Sequence, residues 1–423
     1  MHEYLKKARP PAQADLRAVQ QTVAEIIDDV RLRGLEAVRE YSRKLDRWDP
    51  PTFKVGEQEI AAAKASIAPD VLASLDFAHE QIAGFAQLQR DSMSEFEAET
   101  RPGVTLGQKH IPVTNVGAYV PGGKYPMLMS AQMTILTAKV AGVERVVGCA
   151  PPYEGRGIYP EMLWSMALAG ADEIWCVGGV QALALMAFGA EGYEPVDFIA
   201  GPGNMYVAEA KRQLFGKVGI DLLAGPTEIL IIADDTSDPW IVAADLVGQA
   251  EHGPTSPAIL VSLSRDTAEA VLDEVDRQLG ELATREVAET SWRDYGEVLV
   301  VNDPDEAVAI AEEYAPENLE VQTADPDWYF DRLRNYGTLC VGEEATITFS
   351  DKAIGTNHTL PTGRAARYTG GLWVGKFLKT VTYQRCTRAG AAEIARHASL
   401  LSETEHFDGH AKSARFRLEK YAE

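Results

Sequence analysis

The sequence predicts an α/β protein built on parallel β-sheet. Three observations predict it. Between residues 116 and 301, short apolar runs alternate with helical stretches, and several of the runs end in a glycine- or proline-bearing turn. The chain has 423 residues, 46% apolar and 24% charged, enough for two domains of ordinary globular composition. The segments before Thr105 and after Gly370 lack this alternation and read as mainly helical.

Residues 1–14 form an arm containing Pro10-Pro11. Val19, Val23, Ile26, Ile27 and Val30 recur at three and four, which predicts a helix from Asp15. Gly34 interrupts it, a second helical stretch runs to about Asp46, and residues 57–98 read as two long helices. This front section offers no visible chemistry. Strands then follow at Val116–Val120, Arg145–Ala150, Glu173–Val177 and Val196–Ala200, with helices between them. Ile229–Ala233, Ala258–Ser262 and Glu297–Val301 continue the pattern, with helices at about 239–252, 266–280 and 304–314. Ligands in such sheets sit at the carboxyl ends of the strands, where the glycine turns lie.

Forty basic against 63 acidic residues give a net charge of −23, which argues against nucleic acid and anionic membranes as partners. The four cysteines, Cys149, Cys176, Cys340 and Cys386, form no CxxC pair and suggest neither a zinc ribbon nor a disulfide framework. The first residues lack the apolar core of a signal peptide, and no uncharged apolar run reaches about 18 residues. A cytoplasmic enzyme is expected.

Several groups of residues are candidates for chemistry. Asp238-Pro239 starts a helix that carries Gln249 and His252 on one face, just before the Gly253-Pro254 break. An amide oxygen and an imidazole so placed can bind one metal ion, although the spacing also suits a surface histidine facing the helix dipole. The turns at Gly122-Gly123, Gly178-Gly179, Gly201 with Gly203, and Gly225 can form a nucleotide-sized crevice, but none matches GxGxxG or a P-loop. Glu317, if partly buried, is a candidate general base. Asp351 and His358 are metal-capable residues in a glycine-punctuated loop, and His406 and His410 stand four apart near the C-terminus. For each of these a solvated or turn-capping role remains open.

Six strings in order carry a resemblance to the histidinol dehydrogenase family. They are Asn115-Val116-Gly117 with Tyr119-Val120-Pro121-Gly122-Gly123, Gly178-Gly179-Val180-Gln181-Ala182, and Ala200-Gly201-Pro202-Gly203-Asn204. Gly225-Pro226-Thr227-Glu228, Gln249-Ala250-Glu251-His252-Gly253-Pro254, and Gly355-Thr356-Asn357-His358 with Leu360-Pro361-Thr362 complete them. The resemblance implies two incomplete Rossmann-like domains, small helical terminal segments, and an intertwined homodimer with shared active sites. The expected division is an arm at 1–20, a discontinuous first domain at 21–118 and 230–370, an NAD-side domain at 119–229, and a C-terminal segment at 371–423 serving the partner's site. The implied reaction is a four-electron, Zn2+- and NAD-dependent oxidation of a primary alcohol to a carboxylate through an aldehyde. Zinc ligands fall on Gln249, His252, Asp351 and His410, the last from the partner. NAD contacts fall on Tyr119, Gln181 and Asn204. Substrate contacts fall on Thr227, His358 and Glu405, and Glu317 falls on the carboxylate that activates water. Retention of Glu317 and all four ligand positions argues against a scaffold that only binds.

One departure stands at the centre. The family has Glu-His where this chain has Glu317-Asn318, and Asn cannot exchange protons near neutral pH. Arg364, Arg367 and Lys124 stand near the site strings, and cations there suit either an anionic substrate or NAD phosphates. Both differences resemble the sulfopropanediol 3-dehydrogenase branch, which implies 2,3-dihydroxypropane-1-sulfonate oxidised to 3-sulfolactate. The alternative is L-histidinol to L-histidine.

Overall fold

The computed structural model describes residues 2–9, 16–122 and 125–421. Gly123 and Lys124 lie outside the described residues, so the roles expected of them stay open.

Two parallel sheets organise the chain. The first runs in the order Glu173–Cys176, Arg145–Ala150, Asn115–Tyr119, Phe198–Ala200, Gly219–Ile220, all parallel. Taken by chain order this is 3-2-1-4-5, the doubly wound arrangement cut one strand short. The second repeats that order with Gly296–Val300, Ala258–Ser262, Ile229–Ala233, Asn318–Gln322 and Thr338–Val341. Glu3–Lys6 adds an antiparallel edge strand to it, where the sequence suggested only an arm. The central strands are apolar along their whole length because helices cover both faces; every residue of Ile229–Ala233 and Ala258–Ser262 is buried.

The helices are short-capped and amphipathic as the spacing predicts. Leu16–Arg33 buries Val19, Val23, Ile26, Ile27 and Val30. Asp238 caps Pro239–Ala250 by accepting from Trp240 N, with proline at the first helical position.

Two readings change. The helix expected to reach residue 98 stops at Asp91, and Phe96–Arg101 is a strand. It pairs with Val104–Pro112, which pairs with Leu378–Cys386, so residues 371–423 are not mainly helical from their start. The helices between residues 16 and 91 pack on the sheet of residues 115–220, with Val23 and Ile27 on one face and Leu75 and Ile82 on the other. They do not complete the sheet of residues 229–341, whose faces are covered by its own crossover helices.

The C-terminal helices Arg388–Thr404 and Asp408–Tyr421 pair with each other. They reach the body through the antiparallel sheet, including an Arg101–Glu393 ion pair at 2.8 Å. Leu400, Leu401, Phe407 and Phe416 remain exposed on them.

Candidate active site

The crevice opens where the first sheet reverses direction, between the carboxyl ends of Asn115–Tyr119 and Phe198–Ala200. Tyr119 is buried there, and its hydroxyl accepts from Gly179 N at 3.1 Å. The helix Gly179–Phe188 therefore begins against the strand end, with Gln181 in its first turn. Gln181 Nε2 donates to Asp46 Oδ2 at 3.1 Å, and its buried Oε1 has no protein partner. Asn204 caps Met205–Leu214, its Oδ1 accepting from Tyr206 N and Val207 N at 3.0 and 3.2 Å. Gly201, at φ +118°, is required in the turn between them: a Cβ there would lie 2.0 Å from Tyr119 O.

Tyr119, Gln181 and Asn204 thus line one cavity of about 820 Å³. Asp46 and Tyr41 close its other side, and burial pushes the Asp46 carboxyl up to about 6. The front section therefore does reach the site, contrary to its sequence reading. Nothing in the sequence around Asp46 signals this, because its neighbour Gln181 is 135 residues away.

A second cleft of about 460 Å³ adjoins the first, with Met127, Gly203, Asn204 and His252 lining both. Thr227, Glu317, Asn318, Asp351 and His358 line it. In the second sheet the site residues come from the amino ends of the strands: Thr227 precedes Ile229–Ala233, and Glu317 precedes Asn318–Gln322. The rule that ligands meet carboxyl ends holds for one sheet only.

Glu317 is buried, and Glu228 N donates to its Oε2 at 3.0 Å. Burial pushes its carboxyl up to about 8, with the nearby charges of Glu228 and Asp351 adding to the rise. Asn318 Nδ2 donates to Glu228 O at 3.1 Å. Thr227 Oγ1 accepts from Gln249 Nε2 at 3.0 Å, which leaves the Gln249 amide oxygen free to ligate. His358 sits between Ser130 Oγ at 3.1 Å and Asp351 O at 3.2 Å, and burial holds its pKa below the usual histidine value. Ser130 was not foreseen, since a lone serine in a helix carries no signal.

Gln249, His252 and Asp351 meet around a recess of about 20 Å³. The helix ends at Ala250, so His252 occupies the turn after it rather than its face. His252 Nε2 lies 3.5 Å from Asp351 Oδ2. Two ligands at about 2.1 Å from one tetrahedral ion stand about 3.4 Å apart, so this pair fits zinc. Among the described residues no three His, Cys, Asp or Glu gather as a metal group; the third donor here is an amide. A tetrahedral site needs a fourth ligand.

Within one chain His410 and Glu405 do not reach the cleft. His410 lies in the exposed C-terminal helix against the Phe407 ring, 5.3 Å between centroids, and Glu405 is exposed at the preceding helix end. Arg364 and Arg367 do not line either cleft: Arg364 Nε and Arg367 Nη2 donate to Glu313 O at 2.9 and 2.8 Å. That carbonyl belongs to the last turn of Pro304–Tyr314, where unpaired carbonyls attract cations. Within one chain the two arginines are helix-end partners.

The histidinol dehydrogenase family model matches residues 9–418. The chain belongs to the histidinol dehydrogenase family. Its fold matches the crystal structure of histidinol dehydrogenase from Elizabethkingia anophelis, with TM-score 0.92 and 32% identity, over 98% of this chain and 95% of that one. Among curated family members, a "Histidinol dehydrogenase homolog" of Shouchella clausii is 52% identical over the full length of both chains. The "Sulfopropanediol 3-dehydrogenase" of Ruegeria pomeroyi is 46% identical over 99% of this chain and 97% of its own. The branch expected from the sequence is therefore less similar than the homolog, and branch similarity does not assign the substrate. As a family member the chain is an NAD-dependent dehydrogenase that oxidises an alcohol to an acid, in a family that uses zinc.

Proposed function

We propose that this chain catalyses the four-electron oxidation of a small polar primary alcohol to its carboxylate, with NAD and zinc, as a homodimer with shared sites. The proposed substrate is 2,3-dihydroxypropane-1-sulfonate, giving 3-sulfolactate. The observation that carries the reaction type is Glu317: a buried carboxyl at the floor of a cleft shared with His252 and Asp351. A carboxyl raised by burial toward neutral pH is suited to take a proton from water.

Zinc held by Gln249, His252, Asp351 and the partner's His410 would polarise the substrate hydroxyl. NAD bound along Tyr119, Gln181 and Asn204 would accept hydride. The chain's own residues supply the rest. Glu317 takes the proton of the water that adds to the aldehyde, and the hydrogen bond from Thr227 favours the charged carboxylate that is needed to take it. His358, kept neutral by burial, holds a hydrogen-bonding nitrogen toward Ser130 at the cleft wall. Asn318 can orient but cannot carry a proton, so Glu317 bears the general-base role alone.

Support for the sulfonate comes from the named activity of the Ruegeria relative and from Asn318. L-Histidinol is the alternative, on the strength of the family name. The test is NADH release by the zinc-loaded protein with each alcohol. Turnover of dihydroxypropanesulfonate well above histidinol supports the proposal; comparable or faster turnover of histidinol rejects the substrate.

A further inference from the structure

We propose that the Asp245–Glu320 carboxyl pair is a positioning element that holds Gln249, His252 and Asp351 in register with Glu317. The inference rests on the zinc reading above. Asp245 lies one helical turn before Gln249 in Pro239–Ala250. Glu320 lies three residues after Glu317 in Asn318–Gln322 and is fully buried. The two carboxyls are close enough to act on each other's ionisation. Gln322 Nε2 donates to both, at 2.9 Å to Asp245 Oδ2 and 3.0 Å to Glu320 Oε2.

The third ligand-bearing element closes on the same pair. Thr346 Oγ1 donates to Asp245 Oδ1 at 2.8 Å, and Ile347 N donates to Glu320 Oε1 at 2.8 Å. These residues begin Ile347–Lys352, the helix that carries Asp351. One carboxyl pair thus ties together the helix of Gln249, the strand that begins beside Glu317 and the helix of Asp351. Asp245 also lines the recess formed by Gln249, His252 and Asp351.

Neither carboxyl lines the substrate cleft, so neither is catalytic. No Lys, Arg or His pairs with them among the hydrogen bonds and ion pairs of the described residues. The two acids have no cation beside them, and burial pushes both carboxyls upward. Such a pair is an expensive way to stabilise a fold that leucine or methionine would serve as well. Its geometry serves a different end. Outer hydrogen bonds fix the separation of metal ligands, and their loss weakens metal binding by about 10–100-fold.

The experiment is chelator competition for zinc on the full chain, with NAD affinity and melting temperature measured alongside. D245A and E320A are expected to lose about 10–100-fold in zinc affinity while keeping wild-type NAD affinity. Folded D245A or E320A with wild-type zinc affinity overturns the proposal. If the alanine variants do not fold, T346V decides, since it cuts one link: weaker zinc binding supports the proposal and unchanged binding overturns it. A wild-type protein that takes up no zinc refutes the metal reading itself and removes the basis of this one.

Discussion

Replacing Glu317 by Gln should separate the two oxidations. Gln keeps the length of the side chain and an oxygen to accept from Glu228 N, so the local hydrogen bond at 3.0 Å survives. It cannot take a proton. Conversion of aldehyde to acid should fall by about 10²–10⁴, the usual contribution of a positioned base, or roughly 3–5 kcal/mol of barrier. Alcohol oxidation to the aldehyde should fall far less. The same substitution should stabilise the zinc-free protein. The folded-state carboxyl is raised to about 8 from 4.5, so its ionisation opposes folding. Below the unfolded value both states hold the proton and the substitution gains nothing. From about 4.5 upward the unfolded state ionises alone, and the gain grows until the folded pKa is passed. At pH 7 it amounts to on the order of 3 kcal/mol. The assay is single-turnover NADH formation with alcohol and with aldehyde, and denaturant unfolding at pH 4 and pH 7. Carboxylate formed at the wild-type rate by E317Q, or a stability difference independent of pH, would refute the reasoning.

Four further outcomes follow from the geometry. R364A/R367A should alter substrate KM little and cost at most about 1 kcal/mol of stability, because exposed pairs with a helix end contribute little; steady-state kinetics with the sulfonate and with NAD check this. G201A should destabilise by about 2 kcal/mol or more, since an added Cβ meets Tyr119 O at 2.0 Å in a left-handed conformation, and calorimetry reads the loss. H252A should fail to retain zinc in elemental analysis yet keep NAD affinity, since Tyr119, Gln181 and Asn204 are untouched. Mixed H252A and H410A proteins, each inactive alone, should regain about a quarter of wild-type activity if dimers exchange at random, since only mixed dimers hold an intact site.

Much of this was legible in the sequence where a signal is local. Ile229–Ala233 and Ala258–Ser262 read as strands because burial on both faces demands unbroken apolar runs. Asp238-Pro239 read as a helix start because capping chemistry is contained in two or three residues. Phe96–Arg101 did not, since its exposed residues Phe-Glu-Ala-Glu-Thr-Arg fit a polar helix as well as an edge strand. Leu378–Cys386 was lost for the same reason.

The site divides along the same line. The strings around Tyr119, Gln181, Asn204 and Gln249 located their cavities, because glycine turns and helix starts fix those side chains over a few residues. Contacts made across the fold left no trace. Asp46 reaches Gln181 over 135 residues, Ser130 reaches His358 over 228, and Thr346 reaches Asp245 over 101. Proximity of Arg364 and Arg367 in sequence to a site string says nothing of direction; within one chain both guanidinium groups turn to the Glu313 carbonyl. Asn318 was legible as a departure because an amide cannot do an imidazole's proton chemistry; its bond to Glu228 O was not legible.

The central claim is that one site carries an alcohol through two successive hydride transfers to the acid. The direct measurement is the number of NADH formed per molecule of alcohol consumed by the zinc-loaded protein, with limiting dihydroxypropanesulfonate. About two per alcohol, with no aldehyde accumulating, is the expected result for a four-electron oxidation. One per alcohol with free aldehyde as the end product would contradict it.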